Sequence, residues 1–181
     1  MKTNRTLKLI TLTAAIFGFA ATSFAQNGLS STVSTNAAAT IVSPISLTKV
    51  GELNFGNVIP GIGIGTVAIS AAETPTRTPG GDAGILASQP GTVTVPKFTV
   101  TGESGYSYKI ELPSSVTLES DNNDEMIVNT FRTNLDATSN IVSGKIIGID
   151  VDFYVGATLN LIAEQPTGMY TGSFDVKVSY E

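Results

Sequence analysis

The 181-residue chain has no cysteine, no histidine and no tryptophan, and only 14% of its residues are charged, against about 25% in an average globular protein. Without imidazole or thiol it cannot build the usual activated nucleophile, a His/Cys zinc site or a disulfide. Basic residues are few as well: 10 Lys and Arg stand against 15 Asp and Glu, a net charge of −5. The positive field that attracts a phosphate backbone is missing, so nucleic acid is not an expected partner. Helical patterning is absent too. Past residue 26 no stretch of 11 or more residues places apolar side chains at i, i+3, i+4 and i+7, the spacing an amphipathic helix requires.

The first 25 residues read as a secretory signal peptide. Lys2, Arg5 and Lys8 open it, an apolar run spans Leu9 to Ala21, and Ser23-Phe24-Ala25 supplies small residues for cleavage. The run is too short for a membrane anchor, no cysteine follows for lipid attachment, and no later stretch approaches 18 apolar residues. The expected mature chain, Gln26–Glu181, keeps 7 basic and 15 acidic residues, a net charge of −8. Secretion without cysteine fits the periplasm, outer-membrane surface or fimbriae of a Gram-negative bacterium better than a small extracellular toxin.

What the mature chain does contain is period two. Phe174, Val176, Val178 and Tyr180 alternate with Asp175, Lys177 and Ser179. Ile141, Ile147, Ile149, Val151, Phe153 and Val155 share one parity, with Asp150 and Asp152 on the other. Val93 and Val95 precede Phe98 and Val100, the parity switching at Pro96. Successive strand side chains point to opposite faces, so this is the pattern of strands with one buried face. Gly and Pro recur every 8–15 residues between them, as in an antiparallel sandwich or barrel. A bent strand is expected over 141–155, a separate one over 157–163 and a last one over 170–180, with Thr74–Ser88 as a long loop or excursion between strands. Residues 26–38 form an extended lead, and 39–181 the folded domain.

Three clusters invite a chemical reading, and each has a plainer one. Gly61–Gly65 has the glycines of a phosphate loop but neither a helix nor a lysine behind it, and reads as a turn. Asp121–Glu125 groups oxygen ligands suited to calcium, yet lacks the EF-hand spacing and reads as a solvated acidic turn. Asp150 and Asp152 lie about 7 Å apart on one strand face, a pair that acid/base chemistry could use, but an outward polar face accounts for them. No enzyme and no cofactor are expected.

The C-terminal pattern is more specific. Counting Glu181 as one, Gly168 is fourteenth from the end and Tyr180 penultimate, with Phe174, Val176 and Val178 alternating between them. This is similar to the C-terminal motif of chaperone–usher pilins, in which that strand meets a periplasmic chaperone and the sandwich lacks one strand. Over residues 37–180 the chain also resembles a secreted bacterial family, domain of unknown function 4402. That resemblance is carried by Ala39-Thr40-Ile41, Leu53-Asn54-Phe55-Gly56, Phe98–Gly102, Tyr106-Ser107-Tyr108, Gly156–Leu159 and Gly168–Phe174. Together the resemblances imply an Ig-like, pilin-like β-sandwich and no catalytic residue. The expected role is a structural subunit of a fimbria or surface filament, with copies of itself, a periplasmic chaperone and an outer-membrane usher as partners. Gly168, Phe174, Val176, Val178 and Tyr180 are then the contact residues, and Leu29, Val33 and Ala37 of the lead are the donor positions. The alternative is a self-contained, adhesin-like module that binds a glycan or a protein.

Overall fold

The computed structural model describes residues 30–181; the expected signal peptide and the donor position Leu29 lie outside the described residues. Two units are distinguished, Met1–Ala39 and Thr40–Glu181. Within the first, Ser30–Ala39 forms neither strand nor helix. The second is all-β: no helix occurs among the described residues, and none there is long and apolar enough to cross a membrane.

Fifteen strands follow one another in the second unit. They are β1 (Ser46–Val50), β2 (Asn54–Phe55), β3 (Val58–Ile59), β4 (Gly65–Ile69), β5 (Arg77–Gly81), β6 (Gly84–Ile85), β7 (Val93–Thr94) and β8 (Lys97–Thr101). Then come β9 (Ser107–Glu111), β10 (Ser115–Ser120), β11 (Glu125–Thr133), β12 (Ile141–Lys145), β13 (Asp150–Leu161), β14 (Tyr170–Thr171) and β15 (Lys177–Tyr180). The larger sheet runs β1-β8-β13-β11-β10-β14, and the smaller runs β12-β9-β15. Long β13 serves the larger sheet twice. Asp150–Tyr154 pairs with β8, while the following residues pair with β11 and with β4, which carries β5 at its outer edge. All of these pairings are antiparallel.

One apolar core joins the two sheets. Phe98 stacks on Phe153 with ring centroids 5.3 Å apart, and Ile110, Phe131, Ile146 and Val155 are fully buried beside them. Inward and outward residues alternate as expected along β8 and most of β13. Spatial order β1-β8-β13-β11 against β9-β15 is that of an immunoglobulin-type sandwich, whose first, second, fifth and fourth strands face its third and sixth.

Four expectations from the sequence need correction. Val142 and Ile146, not Ile141, Ile147 and Ile149, face inward. Val142 lies opposite buried Ile110 in the β12–β9 pair, and directly opposed residues share a face. Ile146 is held just past β12 by hydrogen bonds with Gly105 and Tyr106, and the bend that follows leaves Ile147 and Ile149 in solvent. Secondly, Thr74–Ser88 is not one loop, because it contains β5 and β6. Proline and two glycines disguise β5, and they are tolerated because it is an edge strand. Thirdly, the chain is broken at 146–149, and of the strand expected over 157–163 residues 157–161 are the end of β13 rather than a strand of their own. Fourthly, the last strand is not continuous. Tyr170–Thr171 pairs with β10 in the larger sheet and Lys177–Tyr180 with β9 in the smaller one. Gly172–Val176 crosses between them, starting where a Cβ on Gly172 would lie 2.8 Å from both Thr117 O and Leu118 Cδ2.

Candidate functional site: a strand edge beside an apolar groove

Strand β15 has one neighbour among the described strands, β9. Glu181 N–H donates to Ser107 O at 3.1 Å, which makes that pair a hydrogen-bonded one. Hydrogen-bonded and non-bonded pairs alternate in an antiparallel ladder, so Lys177 and Ser179 also point their backbone groups at β9. Val178 and Tyr180 present theirs to the outer edge. The same argument applies to β1. Val155 N–H donates to Pro96 O, so Lys97, Thr99 and Thr101 face β1, and the backbone groups of Leu47 and Lys49 point away from the sheet. Among the described residues, each layer thus has an unpaired edge.

A link joins the two edges at one end. The Tyr180 hydroxyl donates to Ser43 O at 2.8 Å and accepts from Glu103 N–H at 2.7 Å. Glu103 in turn accepts from Ser43 N–H at 3.0 Å, and this bond holds its carboxyl below the usual range. Gly102 makes room for the link, since a Cβ there would lie 2.6 Å from the Tyr180 hydroxyl.

Away from that link a groove of about 930 Å³ opens into the core. Lys49 and Glu52–Val58 form one rim, and Gln165–Phe174 the other. Phe98, Met126, Phe131, Leu159 and Leu161 line its floor. Arg77 Nη1 fixes the first rim by donating to Phe55 O and Asn57 O, both at 2.8 Å. Buried Gln165 fixes the second by donating to Glu125 O and the Tyr170 hydroxyl, both at 3.0 Å. Lys49 and Glu52 are the charged residues lining the groove, and they pair with each other at 2.6 Å. The floor of the groove is apolar, and its lining reaches Phe174, three residues short of β15.

Phe174, Val176, Val178 and Tyr180 all pack on the core, and the Phe174 ring lies 4.9 Å from that of Phe131. Gly168 stands apart from them on the second rim of the groove, with only Ser120 Cβ, 3.8 Å away, near a side chain placed there. Val33 and Ala37 lie in strandless Ser30–Ala39, with Val33 90% exposed. Sequence reasoning missed Ser43, Glu103 and the Lys49–Val58 rim. Leu53-Asn54-Phe55-Gly56 stood out only through the family resemblance.

The other clusters have structural partners. Asp152 accepts from Thr99 and forms a 2.6 Å ion pair with Lys97, which lowers its pKa, and Asp150 accepts from Thr101. The Ser120 hydroxyl organises the acidic turn by accepting from Asn122 N–H and Asp124 N–H. Among the described residues no three acidic side chains converge as metal ligands would. Of Gly61–Gly65, the first four residues bend between β3 and β4, and Gly65 opens β4.

A family model described as "Domain of unknown function (DUF4402)" matches residues 45–180. No curated protein and no solved structure matches the chain.

Proposed function

The chain belongs to the DUF4402 family, and from that premise we propose that it is a structural, non-enzymatic subunit of a bacterial fimbria or surface filament. In this reading the subunit is exported by the signal peptide and completed by a strand from outside the domain. A periplasmic chaperone supplies that strand before assembly and a neighbouring subunit afterwards. The observation that carries the reading is the outer edge of β15, unpaired at Val178 and Tyr180 among the described residues, in a chain whose approach to that strand, at Phe174, lines a groove that opens onto Phe98 and Phe131. Free strand edges and uncovered apolar faces drive strand addition. The seventh strand of an immunoglobulin-type sandwich pairs with the sixth, which is this edge. Gly168, Phe174, Val176, Val178 and Tyr180 then border or support the receiving surface.

Size-exclusion chromatography of the purified mature chain, with unboiled gels, tests it. Concentration-dependent multimers that survive detergent and separate on boiling are expected. A chain that stays monomeric and fully stable at high concentration overturns the reading and favours a self-contained binding module.

A further inference from the structure

We propose that β12 pairs with β12 of a second copy across a two-fold axis centred on Ser143, joining the two smaller sheets edge to edge. The strand order is then β15-β9-β12-β12-β9-β15, with the outer edge of each β15 left free. This goes beyond the reading above and does not depend on it, because β12 and β15 are opposite edges of their sheet. Backbone direction is the first argument. Leu112 N–H donates to Asn140 O and Ile146 N–H to Tyr106 O, both at 2.9 Å, so the even-numbered residues of β12 bond to β9. Bonded and non-bonded pairs alternate, which turns the backbone groups of Ile141, Ser143 and Lys145 outward. Among the described strands nothing pairs with them. The Ser143 hydroxyl reaches back across β9 to donate to Glu181 at 2.6 Å and leaves that edge clear.

Composition is the second. Edge strands are commonly guarded by proline, by charge or by brevity. β5 has Pro79 and β14 is two residues long, whereas β12 has no proline and a single lysine. From Ala137 to Ile149 Lys145 is the one charge, in a mature chain expected to carry −8. Ile141, Ile147 and Ile149 stand 51%, 83% and 73% exposed along this stretch. A free backbone edge rimmed by exposed isoleucine is a site for strand addition.

Self-complementarity is the third, and it names the occupant. With Ser143 on the axis, Ile141 of each copy meets Lys145 of the other, and every outward pair bonds. At two bonds per pair that makes about six backbone hydrogen bonds, and moving the axis to any other residue of β12 engages fewer. Like charges stay apart, since the two Lys145 positions lie about 14 Å from each other along the strands. Each lysine instead lays its aliphatic stem over an exposed Ile141. On the inner side Val142 meets Gly144, which has no side chain to obstruct it. The Ile147–Ile149 bend of each copy lies beside the other's Leu135–Ser139 loop, where Leu135 is exposed. Each edge supplies what the other needs, as an isologous contact requires.

The chain has no cysteine, so engineered thiols report on this contact alone. A bonded antiparallel pair has Cα atoms about 5.5 Å apart, within disulfide reach. Ser143→Cys in the mature chain is therefore expected to link to itself on oxidation and to run as a dimer on boiled, non-reducing gels. Ile141→Cys and Lys145→Cys are expected to link when mixed and hardly at all alone, with exposed Ser173→Cys as the collisional control. Ser143→Pro removes an outward N–H that its own sheet does not use, which an edge strand tolerates. Placed in both thiol preparations, it should cut their mixed dimer several-fold. Ser143→Cys linking no faster than Ser173→Cys overturns the contact. Ile141→Cys linking to itself as readily as Ser143→Cys overturns the two-fold register. A mixed dimer undiminished by Ser143→Pro overturns the backbone pairing, and if that variant does not fold, the thiol pattern decides. Boiling separates strand-complemented multimers but not disulfides. Multimers without Ser143 cross-links therefore overturn this proposal alone, and cross-links in a chain that builds no such multimers overturn the filament reading alone.

Discussion

Replacing Tyr180 by Phe removes the one oxygen that joins β15, the β8–β9 connection and the segment before β1. Its two hydrogen bonds, to Ser43 O and from Glu103 N–H, are each worth a net 0.5–1.5 kcal/mol or so. Water can replace the first at an exposed site, but the second is partly buried, so the expected loss is about 1–3 kcal/mol. For a domain of this size that lowers Tm by roughly 3–10 °C. Gly102→Ala acts on the same link, because its Cβ would stand 2.6 Å from the Tyr180 hydroxyl and 2.8 Å from Ile146 Cδ1. The two substitutions should therefore not add. Gly102→Ala costs less in the Tyr180→Phe background, since the displaced oxygen is gone and only the contacts with Ile146 and with the ring carbon Cζ, at 3.3 Å, remain. The coupling should fall in the range of roughly 0.5–3 kcal/mol found for contacting residues. Urea denaturation of the two single variants and the double variant measures it, at one low protein concentration throughout so that any assembly adds equally to each apparent stability. Strict additivity, or a Tyr180→Phe variant as stable as the parent, would refute the link.

Val176→Asp and Val178→Asp place a charge on side chains packed against the core, at a cost of several kcal/mol, and each should abolish recovery of folded protein; normal yield and Tm for both would show that this face meets solvent. Arg77→Met removes the clamp on Phe55 and Asn57, so faster amide exchange along Glu52–Val58 is expected, and unchanged exchange would free Arg77 of that role. Acid should loosen β15. Glu111 is held below its ordinary value of 4.5 by Lys109 and then Lys177, the latter on β15 itself, and Glu103 is lowered by its bond from Ser43. A depressed carboxyl adds stability that is present above its unfolded value and lost as pH falls through the lower folded one. Melting temperature should thus fall below about pH 4.5, and Glu111→Gln should make that fall shallower; an identical acid limb in the variant would count against it.

Alternation in the sequence determined the fold class, because period two is a local property that each segment states for itself. It told correctly that Phe98, Val100, Phe153 and Val155 face inward, and that Phe174, Val176, Val178 and Tyr180 share one face packed on the core. It failed where local pattern is ambiguous. Between Ile141 and Ile149 both parities carry isoleucine or valine, and the choice fell to Val142 because Ile110, thirty-two residues away, lies opposite it. It was silent on Ser115–Ser120, where only Val116 and Leu118 are apolar, and it ran Tyr170–Glu181 together because parity survives the crossing from one sheet to the other. Only the tertiary structure decided which strand edges stay unpaired, where the groove opens and what ties Ser43 to Tyr180. Those depend on the neighbours a strand acquires from distant parts of the chain. Side-chain alternation records which face of a strand is buried, whereas its edges are backbone, and the backbone groups there are the same in every residue but proline.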